Sequence, residues 1–284
     1  MILLSSPSST MMTGNLPRVA VVTGANKGIG YFIALQLGLS GLFSHVILGC
    51  RNAVLGQEAA ASIQAQLPPA VAVQSLPLVV GDPASHTAFC RALEDAFGKA
   101  DVLVNNAGMA FKAADPTPFA QQCQPTLDVN FRGTLDFTLQ MIPLLQRGDD
   151  PRIVNVASMS GRLGQLAPAL QEQFASPTLT LDQLHGLVDQ FEADVLAGTH
   201  REHGWGNSNY GLSKLALIAA TRVLAREHPR IAINCCCPGY CDTDMSSHRG
   251  TRHPADGARN AVIPATMVDP PTGAFFRDYA VAEW

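Results

Sequence analysis

The chain has 284 residues, 47% hydrophobic and 15% charged, so it has ample material for a buried core at a length that one α/β domain reaches. A net charge of −4 and a pI near 6.0 exclude nucleic acid and anionic membrane as obligatory partners, since neither is drawn to an acidic surface. Seven cysteines, an odd number with three in a row at Cys235, Cys236 and Cys237, make a poor disulfide framework and indicate reduced thiols in the cytoplasm.

Residues 1–17 contain only Ile2, Leu3 and Leu4 as an apolar run before Ser, Thr and Pro take over, which is not the core of a signal peptide; a flexible tail is expected. No later apolar run approaches the length of a membrane span. From Arg18 onward short β-branched runs alternate with longer helical stretches, the pattern of parallel βαβ units. Strands are expected at 19–22, 45–48, 71–80, 102–104, 153–156 and 231–234, and helices at 28–39, 53–67, 83–97, 118–145 and 208–228. This predicts one Rossmann-like domain over 18–284, a doubly wound parallel sheet with helices on both faces and ligands at the carboxyl ends of its strands.

Two stretches depart from the alternation. Within 162–207, Thr180, Leu181, Asp182 and Gln183 form a capping-box sequence, Leu184, Leu187, Val188, Phe191 and Val195 follow helical spacing, and Gly198 marks a stop, so this insertion is predicted helical. The run His200-Arg201-Glu202-His203 lacks the i, i+4 spacing of a zinc-binding helix and reads as a solvated loop, with no metal. Residues 238–271 are rich in Pro, Gly, His and Arg, as expected of a substrate loop, and 273–278 reads as a last short strand.

After the first strand, Thr23-Gly24-Ala25-Asn26-Lys27-Gly28-Ile29-Gly30 has the spacing G-x-x-x-G-x-G and opens the first helix. Gly24 and Gly28 permit a turn at a pyrophosphate, and Gly30 allows close packing of helix on sheet. No carboxylate stands at the end of the second strand to hold a free ribose 2′-hydroxyl; Arg51 is there, and Lys27 lies in the turn, so two cations favour the 2′-phosphate of NADP(H). Asp101 to Gly108 supplies a fourth strand and a small-residue turn that lets backbone approach the cofactor, with Asn105 expected both to brace neighbouring strands and to lie near the cofactor, and Ala107 in the turn.

Ser158 ends the fifth strand, and Tyr210 precedes Lys214 by one helical turn, on the same face. A phenol with a pKa of about 10 is a poor base at neutral pH but a proton donor to a developing alkoxide. Lys214 is expected to lower that pKa by its charge, and Ser158 to hold the same carbonyl oxygen. Asn130 reads on its own as a helix-bending or capping residue.

These motifs resemble those of the short-chain dehydrogenase/reductase family over nearly the whole chain from Arg18. The resemblance implies a catalytic set of Asn130, Ser158, Tyr210 and Lys214, with Asn130 holding a water that links Lys214 to solvent, and a dinucleotide turn of Gly24, Gly28 and Gly30. Pro238, Gly239 and Thr243 match the segment beside the nicotinamide. Residues 110–119, Cys236 to Gly239 and the terminal Glu283-Trp284 are most similar to the monomeric NADPH-dependent carbonyl reductases, and Tyr210 follows Ser158 by 52 positions, room for the helical insertion that those proteins carry. The resemblance implies a monomer that reduces small ketones, aldehydes and quinones. Val79 stands where the family has an adenine-contacting aspartate, leaving backbone or Asp82 to take that part, and Tyr240 replaces a tryptophan. Cys237, just before Pro238, is expected to inhibit the enzyme when modified. An alcohol dehydrogenase or pteridine reductase, and a non-catalytic NADP(H)-binding protein, are the rival readings.

Overall fold

Runs that are buried from end to end belong to strands covered on both faces, and β1 (Val19–Thr23), β4 (Val102–Asn105), β5 (Arg152–Val156) and, after a half-buried His45, β2 (His45–Cys50) are of this kind. The computed structural model describes residues 17–112 and 114–284; all but Pro17 of the N-terminal tail expected from the sequence lies outside them. Together with β3 (Ala72–Pro77), β6 (Ala232–Cys236), β7 (Phe275–Arg277) and β8 (Ala280–Ala282), these strands form one sheet in the order β3-β2-β1-β4-β5-β6-β7-β8. Every pairing is parallel except the closing β7–β8 hairpin. Strand order reverses between β1 and β4, which opens a crevice at their carboxyl ends.

Helices α1 (Gly28–Leu39) and α2 (Ala53–Gln64) cover one face of the sheet. The other carries α3 (Pro83–Phe97), α4 (Phe119–Leu127), α5 (Thr134–Leu145) and α8 (Asn209–Glu227). The helix expected over 118–145 is interrupted, because Asp128–Gly133 between α4 and α5 is a π-helical turn. The insertion forms α6 (Pro168–Ala175) and α7 (Leu181–Ala197), the latter with both halves of the Thr180/Gln183 capping box and with Gly198 at φ 78° as its stop.

Three expectations are corrected. Not all of 238–271 is loop: Pro254–Thr266 is a helix, α9, which packs on α1 and β5 and whose Ala258, Ala261 and Ala265 join the core. His253 caps it and Pro254 occupies its first turn, where a missing N–H costs nothing. The last strand is followed by a second, β8. His200 is not solvated: it is buried, stacked on Phe119 at 5.2 Å between centroids and bonded to Asn207 at 2.9 Å. No helix among the described residues is long and apolar enough to cross a membrane.

Candidate active site

The glycine turn sits between the ends of β1, β2 and β4. Gly24 (φ 63°) donates its N–H to Gly49 at 2.7 Å, and a Cβ on it would lie 2.9 Å from the Cα of Ala107. Gly30 is equally constrained, because a Cβ there would meet Asn106 Nδ2 at 2.4 Å and Gly24 O at 2.5 Å. The amides of Ala25 and Asn26 point at the buried Cys50 thiol, so the turn rests on the end of β2. Ile29 packs behind it into the core. At Gly28 (φ 57°) the nearest atom to an added Cβ is the Thr243 methyl, at 3.4 Å.

Helix α1 begins without a side-chain cap and with no carboxylate in its first turn. The unpaired N–H groups of such a terminus carry partial positive charge and suit an anion. The cradle therefore fits a dinucleotide pyrophosphate on its own geometry. Arg51 is exposed, with no ion-pair partner among the described residues. Lys27 differs from expectation: its ammonium lies 2.5 Å from Asp244, next to Thr243, and joins the glycine turn to the loop after β6. Asp82 is taken up as the cap of α3, accepting from Ala84 N at 3.0 Å, while Val79 is exposed.

On the other side of the crevice β5 delivers Ser158, whose hydroxyl accepts from Ser160 N at 3.0 Å and stands near enough to the Tyr210 phenol to favour its ionised form. Lys214 is 4% exposed; its ammonium donates to Val156 O at 2.8 Å and lies 5.7 Å from the centre of the Tyr210 ring. Burial pushes the Tyr210 phenol up to about 12, against a smaller downward pull from Ser158. Burial likewise pulls the Lys214 ammonium down to about 8. The expected lowering of the phenol by Lys214 is therefore absent: loss of solvent dominates, and the one downward pull on the phenol comes from Ser158.

Asn130 sits in the π-helical turn with no exposed surface. Its side chain is fully engaged: Oδ1 accepts from Met109 N at 2.8 Å, and Nδ2 donates to Met109 O at 2.8 Å and to Ser213 Oγ at 3.1 Å. Asn105 braces the sheet as expected, donating to Thr138 Oγ1 and to Asn155 Oδ1, both at 2.8 Å, while Asn155 donates to Thr221 at 2.9 Å. Pro238, Gly239 and Thr243 follow β6 on the same side of the sheet. Cys237 is buried, its sulfur accepting from Met159 N and Gly239 N. Tyr240 is 55% exposed.

Three residues that build this site have no role of their own in the sequence reading, although Asn106 and Gly108 lie in the small-residue turn it identifies. Gly108 passes so close that a Cβ would stand 3.1 Å from Asn130 Oδ1 and 3.5 Å from Lys214 Nζ, and a Cβ on Gly161 would lie 2.7 Å from the α8 backbone at Leu215. Asn106 donates to the carbonyls of Thr23 and Gly24 at 3.0 and 3.1 Å. The doubled asparagine and the Ser-x-x-Gly step were the available signals. The terminal Trp284 donates to Gly161 O at 2.8 Å and, with Met159 and Phe275, lines a small hollow at Ser158.

A parallel sheet with an uncapped glycine turn at its switch point and, across the crevice, a half-buried serine and tyrosine beside a buried lysine is the arrangement of a dinucleotide-dependent oxidoreductase. The family model described as short chain dehydrogenase matches residues 18–169 and 195–253, and the chain belongs to that family. Among curated proteins it is similar to carbonyl reductase [NADPH] 1 of Pongo abelii, 39% identical over 94% of this chain and 98% of that one, and to the Homo sapiens protein of the same name at 38% with the same coverage. Among solved structures, salutaridine reductase from Papaver somniferum superposes with a TM-score of 0.83 at 32% identity, covering 92% of this chain and 99% of the other. Menthone neomenthol reductase from Mentha piperita does so with 0.78 at 31%, covering 91% and 98%.

Proposed function

We propose that this protein reduces small carbonyl compounds to alcohols with NADPH, as the names of its relatives suggest for them. The observation that carries the reading is the Ser158–Tyr210–Lys214 cluster, since binding a nucleotide needs no phenol beside a serine hydroxyl and a buried ammonium. When bound, NADPH supplies the hydride. Ser158 and Tyr210 then hold the substrate oxygen between two hydroxyls, and Tyr210 gives up its proton as negative charge develops there. A phenol held near 12 stays protonated at neutral pH, as a donor must. Lys214 stabilises the resulting phenolate, and Asn130 holds the Met109 and Ser213 environment around it while serving the water path to solvent.

Gly24, Asn26, Gly28, Ile29 and Gly30 cradle the pyrophosphate, Lys27 ties that turn to the loop of Thr243, Arg51 takes the 2′-phosphate, and Asn105, Ala107, Pro238, Gly239 and Thr243 border the nicotinamide half, which Tyr210 and Lys214 also meet. Residues 18–284 act as one monomeric Rossmann-like domain. Seven free cysteines suit the reducing cytoplasm.

The decisive experiment is Tyr210→Phe. Turnover of a ketone and quinone panel should be lost while NADPH affinity stays within a few-fold, because only the proton donor is removed; normal turnover would sink the assignment.

A further inference from the structure

We infer that His86 is a positioning residue for the adenosine half of the dinucleotide, an inference that rests on the cofactor reading above. With the pyrophosphate at the start of α1, one half of the molecule extends over the ends of β2 and β3. β3 is the edge strand and runs parallel to β2 in the register Cys50↔Pro77. Leu78 N donates to Cys50 O at 3.0 Å, so residues 78–82 leave the sheet beside Arg51. There they present the exposed Val79 and a backbone bend at Gly81, φ 108°.

No further strand supports this bend; two side chains of α3 do, Ser85 Oγ accepting from Val79 N at 2.9 Å and His86 from Gly81 N. The imidazole has no exposed surface, its Nδ1 lies 2.5 Å from the Asp136 carboxylate, and its Nε2 faces Gly81 N at 3.3 Å. A carboxylate on one side and an N–H on the other dictate one tautomer: the proton is on Nδ1, and the Nε2 lone pair accepts from Gly81. Behind the bend, a Cβ on Gly133 would lie 2.5 Å from Gly81 N. The loop therefore rests backbone to backbone on the π-helical turn that holds Asn130, and His86 is a peg that keeps it there.

The test measures binding of NADPH and of adenosine 2′,5′-bisphosphate, which contains only the adenosine side, together with kcat at saturating NADPH. His86→Leu should weaken both nucleotides by roughly three- to tenfold, the size expected from losing one hydrogen bond, with kcat within about twofold of wild type. His86→Gln, whose Oε1 can accept from Gly81, should restore most of the affinity. Unchanged bisphosphate binding in His86→Leu, a kcat loss as large as the affinity loss, or a folded His86→Gln no better than leucine would each overturn the inference. Should His86→Leu not fold, Asp136→Ala at its half-exposed position carries the test: freeing the ring must weaken the bisphosphate, and unchanged binding overturns the inference. Wild-type protein that binds neither nucleotide would overturn the cofactor reading and this inference together.

Discussion

Tyr210 and Lys214 have their protonation set by the same cause acting in opposite directions: burial favours the neutral form of each, raising the phenol to about 12 and lowering the ammonium to about 8. On the proposed mechanism, the lysine and not the tyrosine then limits carbonyl reduction on the alkaline side. As pH rises through about 8, Lys214 loses the charge that stabilises the phenolate, so kcat should fall while the phenol is still protonated. A kcat profile from pH 6 to 10 on saturating substrate checks this; a rate flat through that range would contradict it. At the opposite end of the crevice Arg51 has no carboxylate partner among the described residues, whereas Lys27 is committed to Asp244. Arg51→Asp should therefore raise KM for NADPH by more than tenfold while changing that for NADH little, as charge reversal beside a phosphate of about −2 implies. The identity of Ser158, Tyr210 and Lys214 was legible because a strand end and an i, i+4 pair are local patterns. Their electrostatics were not, since burial and the Lys214 bond to Val156 O arise only from tertiary packing.

At the scale of elements, α7 was legible from its capping box, but what anchors its far end was not. Asp194 is buried and accepts from Trp205 Nε1 at 2.7 Å, Gln190 Nε2 at 2.8 Å and His203 Nδ1 at 2.9 Å. Burial works against its charge, yet these donors outweigh it and hold the carboxyl below its usual range. Removing such an acceptor strands several donors, so Asp194→Ala should cost about 2–3 kcal/mol, read as a lower midpoint in urea. Helix α9 escaped detection because it lies in a Pro-, Gly-, His- and Arg-rich stretch and itself carries Pro254, Gly257 and Pro264, while the alanines that bury it have little hydrophobic weight. The π-helical turn was equally hidden. No composition encodes one extra residue in a turn, although the placement of Asn130 depends on it.

For the molecule as a whole, the alternation of strands and helices was readable because each βα unit is local, and β7 falls within the short strand read at 273–278, whereas β8, at three residues, is too short to announce itself. The insertion is tied back to the body through Arg132, which bonds Asp189 and Glu192 of α7, each at 2.6 Å, and Asp128 of the π-helical turn at 2.9 Å. With α7 laid over α4 in this way, that flank is occupied by the chain itself. Sedimentation velocity at micromolar concentration should give one species near 30.1 kDa; a stable dimer would contradict the proposed monomer.

Inside the sheet, the string Thr138, Asn105, Asn155 and Thr221 works as a vernier. Asn105 stands opposite Asn155 across β4 and β5, and sliding one strand by a single residue would swing an amide to the opposite face. Such a slip would leave its partner's hydrogen-bonding group unmatched in hydrocarbon. The height at which Ser158 emerges, three residues beyond Asn155, is thus gauged from within the interior, and the loops above are free to vary without changing it.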